Sequence, residues 1–121
     1  MSPGARLGVE RVQPEKPDTV IYRLSGRLTD TKESYAFLEE VRGEIKQGIS
    51  FVLLNLEGIE YLSSAGVGIL AACYTSAKNA GGRFGVAAAS EGARKILEIV
   101  CLWDALERFA SEDDALKEGV E

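Results

Sequence analysis

Histidine is absent from the sequence, and with it go the commonest general base and the commonest transition-metal ligand. Carboxylate chemistry stays open, yet an enzyme is not the first expectation. Cysteine is scarce: Cys73 and Cys101 each lie inside a mostly apolar helical pattern, Leu70-Ala71-Ala72-Cys73 and Ile99-Val100-Cys101-Leu102. Both are expected to be buried free thiols, because free cysteine behaves as a small hydrophobe. Positive charge is in deficit, 14 basic against 19 acidic side chains for a formal charge of −5. Such a balance repels phosphate backbones and anionic lipid, so neither nucleic acid nor a membrane surface is an expected partner. Long apolar runs are missing too. Met1 to Arg11 contains none, and no later stretch approaches the ~20 residues that span a bilayer. The expectation is a cytoplasmic protein with no metal or cofactor. The single tryptophan, Trp103, lies among Leu102, Ala105 and Leu106, the surroundings of a packing residue.

What is present suits one folded unit. A chain of 121 residues with 45% hydrophobic and 27% charged side chains can bury one core, so a single domain over 1–121 is expected, ordered from about 6 to 118. Arg6 to Val12 reads as a strand, and Pro14 and Pro17 punctuate the turn of a hairpin. Val20, Tyr22 and Leu24 alternate with Ile21, Arg23 and Ser25, and Gly26 closes that strand before a loop from Arg27 to Asp30. Leu38, Val41 and Ile45 recur at helical spacing within Thr31 to Gln47, with Gly48 as the stop. Ile49 to Leu56 is almost unbroken apolar sequence of strand length, as a central strand buried on both faces requires. After a loop from Glu57 to Leu62, Val67, Leu70, Ala71 and Tyr74 form a helical stripe ending near Asn79 to Gly82. Phe84 to Ala88 is a further short strand. Ala93, Ile96, Leu97 and Val100 repeat the stripe, and a short strand and helix follow at Glu107 to Ala110 and Glu112 to Glu118. The order predicts an α/β fold: a mixed, mostly parallel sheet of four to five strands covered by four helices. Functional sites in such sheets gather at the carboxyl ends of central strands, which directs attention to Glu57 to Gly68.

There the sequence reads Asn55-Leu56-Glu57-Gly58-Ile59-Glu60-Tyr61-Leu62-Ser63-Ser64-Ala65-Gly66-Val67-Gly68. Ser63 and Ser64 stand where a helix wants an N-cap, since a serine hydroxyl accepts a bond from an unpaired N–H of the first turn. Gly66 and Gly68 fall inside the first turns, where each glycine costs about 1 kcal/mol relative to alanine. Close packing or the approach of a partner has to compensate.

This stretch resembles the signature of the STAS-domain anti-sigma-factor antagonists, in which a strand ending Asn-Leu leads through a short loop to Asp-Ser-Ser/Thr-Gly-Leu-Gly at a helix start. Asn55-Leu56 and Gly66 align without a gap, so Ser63 falls at the family's Asp, Ser64 at its phosphorylated serine and Ala65 at the second hydroxyl residue. Leu24-Ser25-Gly26-Arg27-Leu28 resembles the strand ending in Gly-x-Leu-Asp, with Thr29 in place of that Asp, and Gly81-Gly82 resembles the turn before a later strand. The similarity runs from Val9 to Glu118. It implies the STAS fold and a protein that catalyses nothing itself. Unphosphorylated antagonists bind a serine-kinase anti-sigma factor and make it release its sigma factor; phosphorylation ends the binding, and a serine phosphatase is the further partner. Carried onto this sequence, Ser64 is the phosphorylation site, and Ser63, Ser64, Ala65, Gly66 and Gly68, with Arg27, Thr29 and Asp30 at the rim, form the partner-binding set. The rim residues read equally well as ordinary solvated loop residues.

The loss of both family acids, at Thr29 and Ser63, gives weight to an alternative: a STAS scaffold that is not phosphorylated, or an accessory subunit of a transporter or signalling complex. A hydrolase with Ser64 as nucleophile is a third reading, but the Gly-x-Ser-x-Gly elbow and a histidine base are both missing.

Overall fold

The computed structural model describes residues 6–118. Its centre is the apolar run, which forms strand β3 (Phe51–Leu62) in the middle of a five-stranded sheet of order β1-β2-β3-β4-β5. β2 (Thr19–Leu28) and β4 (Arg83–Ala87) flank it in parallel, and β5 (Glu107–Phe109) runs parallel to β4 at one edge. β1 (Gly8–Val12) pairs antiparallel with β2 at the other edge, completing the expected hairpin. The sheet is mixed and mostly parallel, with helices α1 (Lys32–Lys46), α2 (Ser64–Asn79), α3 (Glu91–Ile99) and α4 (Glu112–Glu118), and a 3₁₀ turn at Trp103–Ala105.

Strand periodicity sorts the side chains onto two faces. Val20, Tyr22, Leu24, Val52, Leu54 and Leu56 point into the main core beneath α1, α2 and α3. Ile21, Phe51, Leu53 and Ala87 face the other way and pack with Ala115 of α4. Keeping three successive crossover helices on one face is what right-handed connections between adjacent parallel strands produce. α4 is held by polar contacts as well: the Glu112 carboxylate accepts from Arg23 Nε at 2.8 Å and from Asn55 Nδ2 at 2.7 Å. The first three helices begin with a hydroxyl cap, Thr31, Ser63 and Ser90, each accepting from an amide in its first turn. Gly48, the stop after α1, has φ +109°, a conformation that favours glycine.

Four expectations need correction. Glu57 to Leu62 is not a loop: β3 runs on through it, paired with β2 as far as Leu28↔Leu62. Register shifts between Arg23 and Ser25 and between Gly26 and Arg27 break the alternation there, so the apolar spacing no longer shows period two. Arg27 accordingly belongs to β2 and not to the following loop. The buried stripe of α2 is Gly66, Ile69, Leu70, Cys73 and Ala77, leaving Val67, Ala71 and Tyr74 at its margin. Cys73 is buried as expected, but Cys101 is exposed. Helix α3 stops at Ile99, which leaves Ile99 75% and Val100 44% exposed and places Cys101 just past the cap at φ 64°. The helical count that would have turned Val100 and Cys101 inward ends one residue too early. Trp103 is half-buried against the main core, with the guanidinium groups of Arg94 and Arg108 over its ring.

Candidate functional site

β2 and β3 end on the same rung, Leu28 opposite Leu62, so the segments leaving them lie side by side. Both leucines are buried and anchor this end of the sheet to the core. The Ser63 N–H donates to the Leu28 carbonyl at 3.1 Å, which fixes the start of α2 against the end of β2.

Of the two candidate caps, Ser63 is the one used. Its backbone is extended, and its Oγ accepts from the Gly66 N–H at 3.0 Å. Its carbonyl accepts from the Val67 N–H at 2.9 Å. Ser64 is therefore the first residue inside the helix, and it is exposed. Serine at position 63 makes this capping bond without carrying a charge. α2 has no acidic residue in its first turn, unlike α1, α3 and α4, so the partial positive charge of this helix end is uncompensated. Among the described residues no side chain is hydrogen-bonded to the Ser64 hydroxyl, whereas an activated serine nucleophile needs an adjacent base. The Ser64 hydroxyl is left facing solvent at the helix start.

The two glycines have different reasons. A Cβ on Gly66 would overlap the Leu28 carbonyl oxygen and stand 3.0 Å from its carbon, so Gly66 is required by packing inside the molecule. A Cβ on Gly68 meets nothing within 4 Å, and this residue lies exposed one turn beyond Ser64. No packing inside the molecule requires glycine at position 68. Ala65, between Ser64 and Gly66, is half-buried.

On the β2 side, Thr29 is half-buried and Asp30 exposed. The Thr29 N–H donates to Ser34 Oγ at 3.2 Å, and the Thr31 hydroxyl donates to the same oxygen at 2.9 Å. The loop is thus tied to the first turn of α1 by hydroxyls, with no carboxylate needed at position 29. Arg27 lies over the ring of Tyr61, 4.4 Å from its centroid. The segment from Arg27 to Asp30 and the one from Ser63 to Gly68 thus leave the β2–β3 pair side by side, and Tyr61, 46% exposed, lies one rung before them. Tyr61 was hidden in sequence by the bulge: a strand that shifts register cannot be followed by counting twos. Asn55 anchors the approach, its Oδ1 accepting from the Glu57 N–H at 2.9 Å at the start of the irregular segment.

The family model for the STAS domain matches residues 11–115. This chain belongs to the STAS domain family. Among solved structures, the anti-sigma factor antagonist SpoIIAA in its unphosphorylated form superposes with a TM-score of 0.78 at 22% identity, covering 96% of this chain and 99% of that one. An anti-sigma factor antagonist from Mycobacterium paratuberculosis gives 0.79 at 22% identity over 97% and 96% of the two chains. A sulfate transporter family protein from Wolinella succinogenes gives 0.69 at 16% identity over 84% of each. At these identities the likeness is one of fold, and the same STAS architecture serves proteins of both kinds. Among the described residues no helix is long and apolar enough to cross a membrane, and no group of three or more His, Cys, Asp or Glu could hold a metal ion.

Proposed function

We propose that this STAS domain is an anti-sigma-factor antagonist that works by partner switching in the cytoplasm. Unphosphorylated, it binds a serine-kinase anti-sigma factor, which lets go of its sigma factor; the kinase transfers phosphate from ATP to Ser64 and the complex dissociates; a serine phosphatase restores the hydroxyl. The domain itself is the substrate of this chemistry and not its catalyst. The observation that carries this reading is the exposed Ser64 hydroxyl at the first position of α2, on a backbone pinned by the bonds of Ser63 to Leu28 and Gly66. A phosphate of about −1.5 to −2 charge is favoured at a helix N-terminus and disturbs the fold little, so the switch acts by repulsion and steric block at the partner surface. Ser63, Ala65, Gly66, Gly68, Arg27, Thr29 and Asp30 surround it as the partner-binding set.

The test is intact and peptide mass spectrometry of the protein from its native cells, with and without phosphatase, beside Ser64→Ala. A phosphatase-sensitive phosphate on Ser64 is expected. Its absence under every growth condition overturns the switch and favours the second reading, a non-phosphorylated scaffold or an accessory subunit of a transporter or signalling complex. What favours that second reading is the pair of residues that replace the family acids, Thr29 and Ser63.

A further inference from the structure

Arg11, Arg23, Arg42, Arg83, Arg94 and Arg108 each stand within salt-bridge distance of a carboxylate. Arg6 and Arg27, among the described residues, do not; the contact of Arg27 is the face of Tyr61. Arg27 is a half-buried cation, next in sequence to Leu28, and its hydrogen-bonding fork is unspent among the described residues. Arg27 and Tyr61 are register partners, one rung before Leu28 and Leu62 where both strands end. The Ser63 N–H bond to the Leu28 carbonyl fastens the start of α2 to the residue next to Arg27. From Tyr61 to Ser64 the chain spans at most about 10 Å.

We infer that Arg27 is the internal receptor for a phosphate on Ser64. The guanidinium rests on Tyr61 while the hydroxyl is free, and moves to the phosphate oxygens once Ser64 is modified. A cation on an exposed aromatic face is held weakly, whereas the guanidinium fork matches a phosphate bidentately and with opposite charge. The exchange is therefore downhill. Modification then changes the partner face twice, by adding the phosphate and by uncovering Tyr61. This rests on Ser64 being the modified residue and names how the modification is read within the domain.

The test installs phosphoserine at position 64 of the full chain by genetic-code expansion, so that it does not depend on any kinase. The second ionisation of the phosphate is followed by phosphorus NMR in the wild type, Arg27→Gln, Arg27→Lys and Tyr61→Leu. The wild-type phosphate is expected to lose its second proton about one pH unit lower than in Arg27→Gln, with Arg27→Lys between them. Tyr61→Leu, which removes the competing face, should lower the value further or leave it unchanged. Equal values in the wild type and Arg27→Gln overturn the inference, as does a rise in Tyr61→Leu. The Arg27 side chain makes no hydrogen bond among the described residues, so Arg27→Gln should fold; if it does not, Arg27→Lys carries the comparison. Cells that never phosphorylate Ser64 would refute the proposed function without altering this titration, so the two failures are distinguishable.

Discussion

Alanine at Gly66 and alanine at Gly68 should move stability in opposite directions, although the two positions are two residues apart in one helix. At Gly68 the added methyl meets nothing within 4 Å, so only the backbone matters. Alanine loses less conformational freedom than glycine on entering a helix, and Gly68→Ala should stabilise by ~0.5–1 kcal/mol. At Gly66 the same propensity gain applies, but the methyl would overlap the Leu28 carbonyl oxygen. The obstacle is backbone, so no side chain can swing aside. Relief must move α2 away from β2 and strain the Ser63 bond to that same carbonyl. Overpacking costs ~1–3 kcal/mol, and after the propensity gain Gly66→Ala should destabilise by ~1–2 kcal/mol net. Urea unfolding reads this directly: the midpoint should rise for Gly68→Ala and fall for Gly66→Ala, with the slope unchanged in both. If Gly66→Ala is as stable as the wild type, the close approach of α2 to Leu28 is wrong, and with it the geometry that presents Ser64.

Ser63→Ala removes the α2 cap and should lower stability by about 1 kcal/mol, whereas Ser63→Asp should match or exceed the wild type by ~0.3–1 kcal/mol; thermal unfolding compares the three. A thiol-reactive dye should label Cys101 in the native protein and reach Cys73 only on unfolding, because Cys73 is buried and Cys101 exposed. Burial also pushes the Cys73 thiol up to about 12 from its ordinary 9.0. The folded state keeps a proton that the unfolded chain gives up, so this contribution is intact below pH 9 and declines as pH rises from there towards 12. Denaturant midpoints measured across that window should fall, and less steeply in Cys73→Ala. The Glu112 carboxyl lies below its usual range, chiefly because the Arg23 guanidinium hydrogen-bonds it, with Asn55 helping against partial burial. Its contribution is present above the ordinary carboxylate range and is lost as pH falls through the lowered folded value. With Arg23 nearly half exposed, Glu112→Gln should cost only ~0.5–1 kcal/mol, and hydrogen exchange should show the α4 amides opening first.

Most of the architecture was legible because it rests on periodicity and composition. The unbroken apolar run from Ile49 to Leu56 can be satisfied only between two layers, and the alternation in β2 has one good answer. The serine–glycine segment was legible as a helix start for the same local reason: hydroxyl caps and first-turn amides lie within a few residues of each other. Legibility failed where geometry departs from regular counting. The bulges of β2 and β3 concealed the last rungs of the sheet, and with them Tyr61 and the true place of Arg27. The early stop of α3 turned Cys101 outward against a pattern that pointed in.

The sequence by itself determined the fold class, the central strand, the missing histidine chemistry and the segment that carries Ser64, because each follows from residue type and short-range spacing. Only the tertiary structure decided which serine caps α2 and which stands exposed, that Gly66 answers to the Leu28 carbonyl while Gly68 answers to nothing inside the molecule, and that Arg27 lies on Tyr61. Those outcomes depend on where the end of β2 meets the start of α2, a contact between residues more than thirty positions apart that no local pattern encodes.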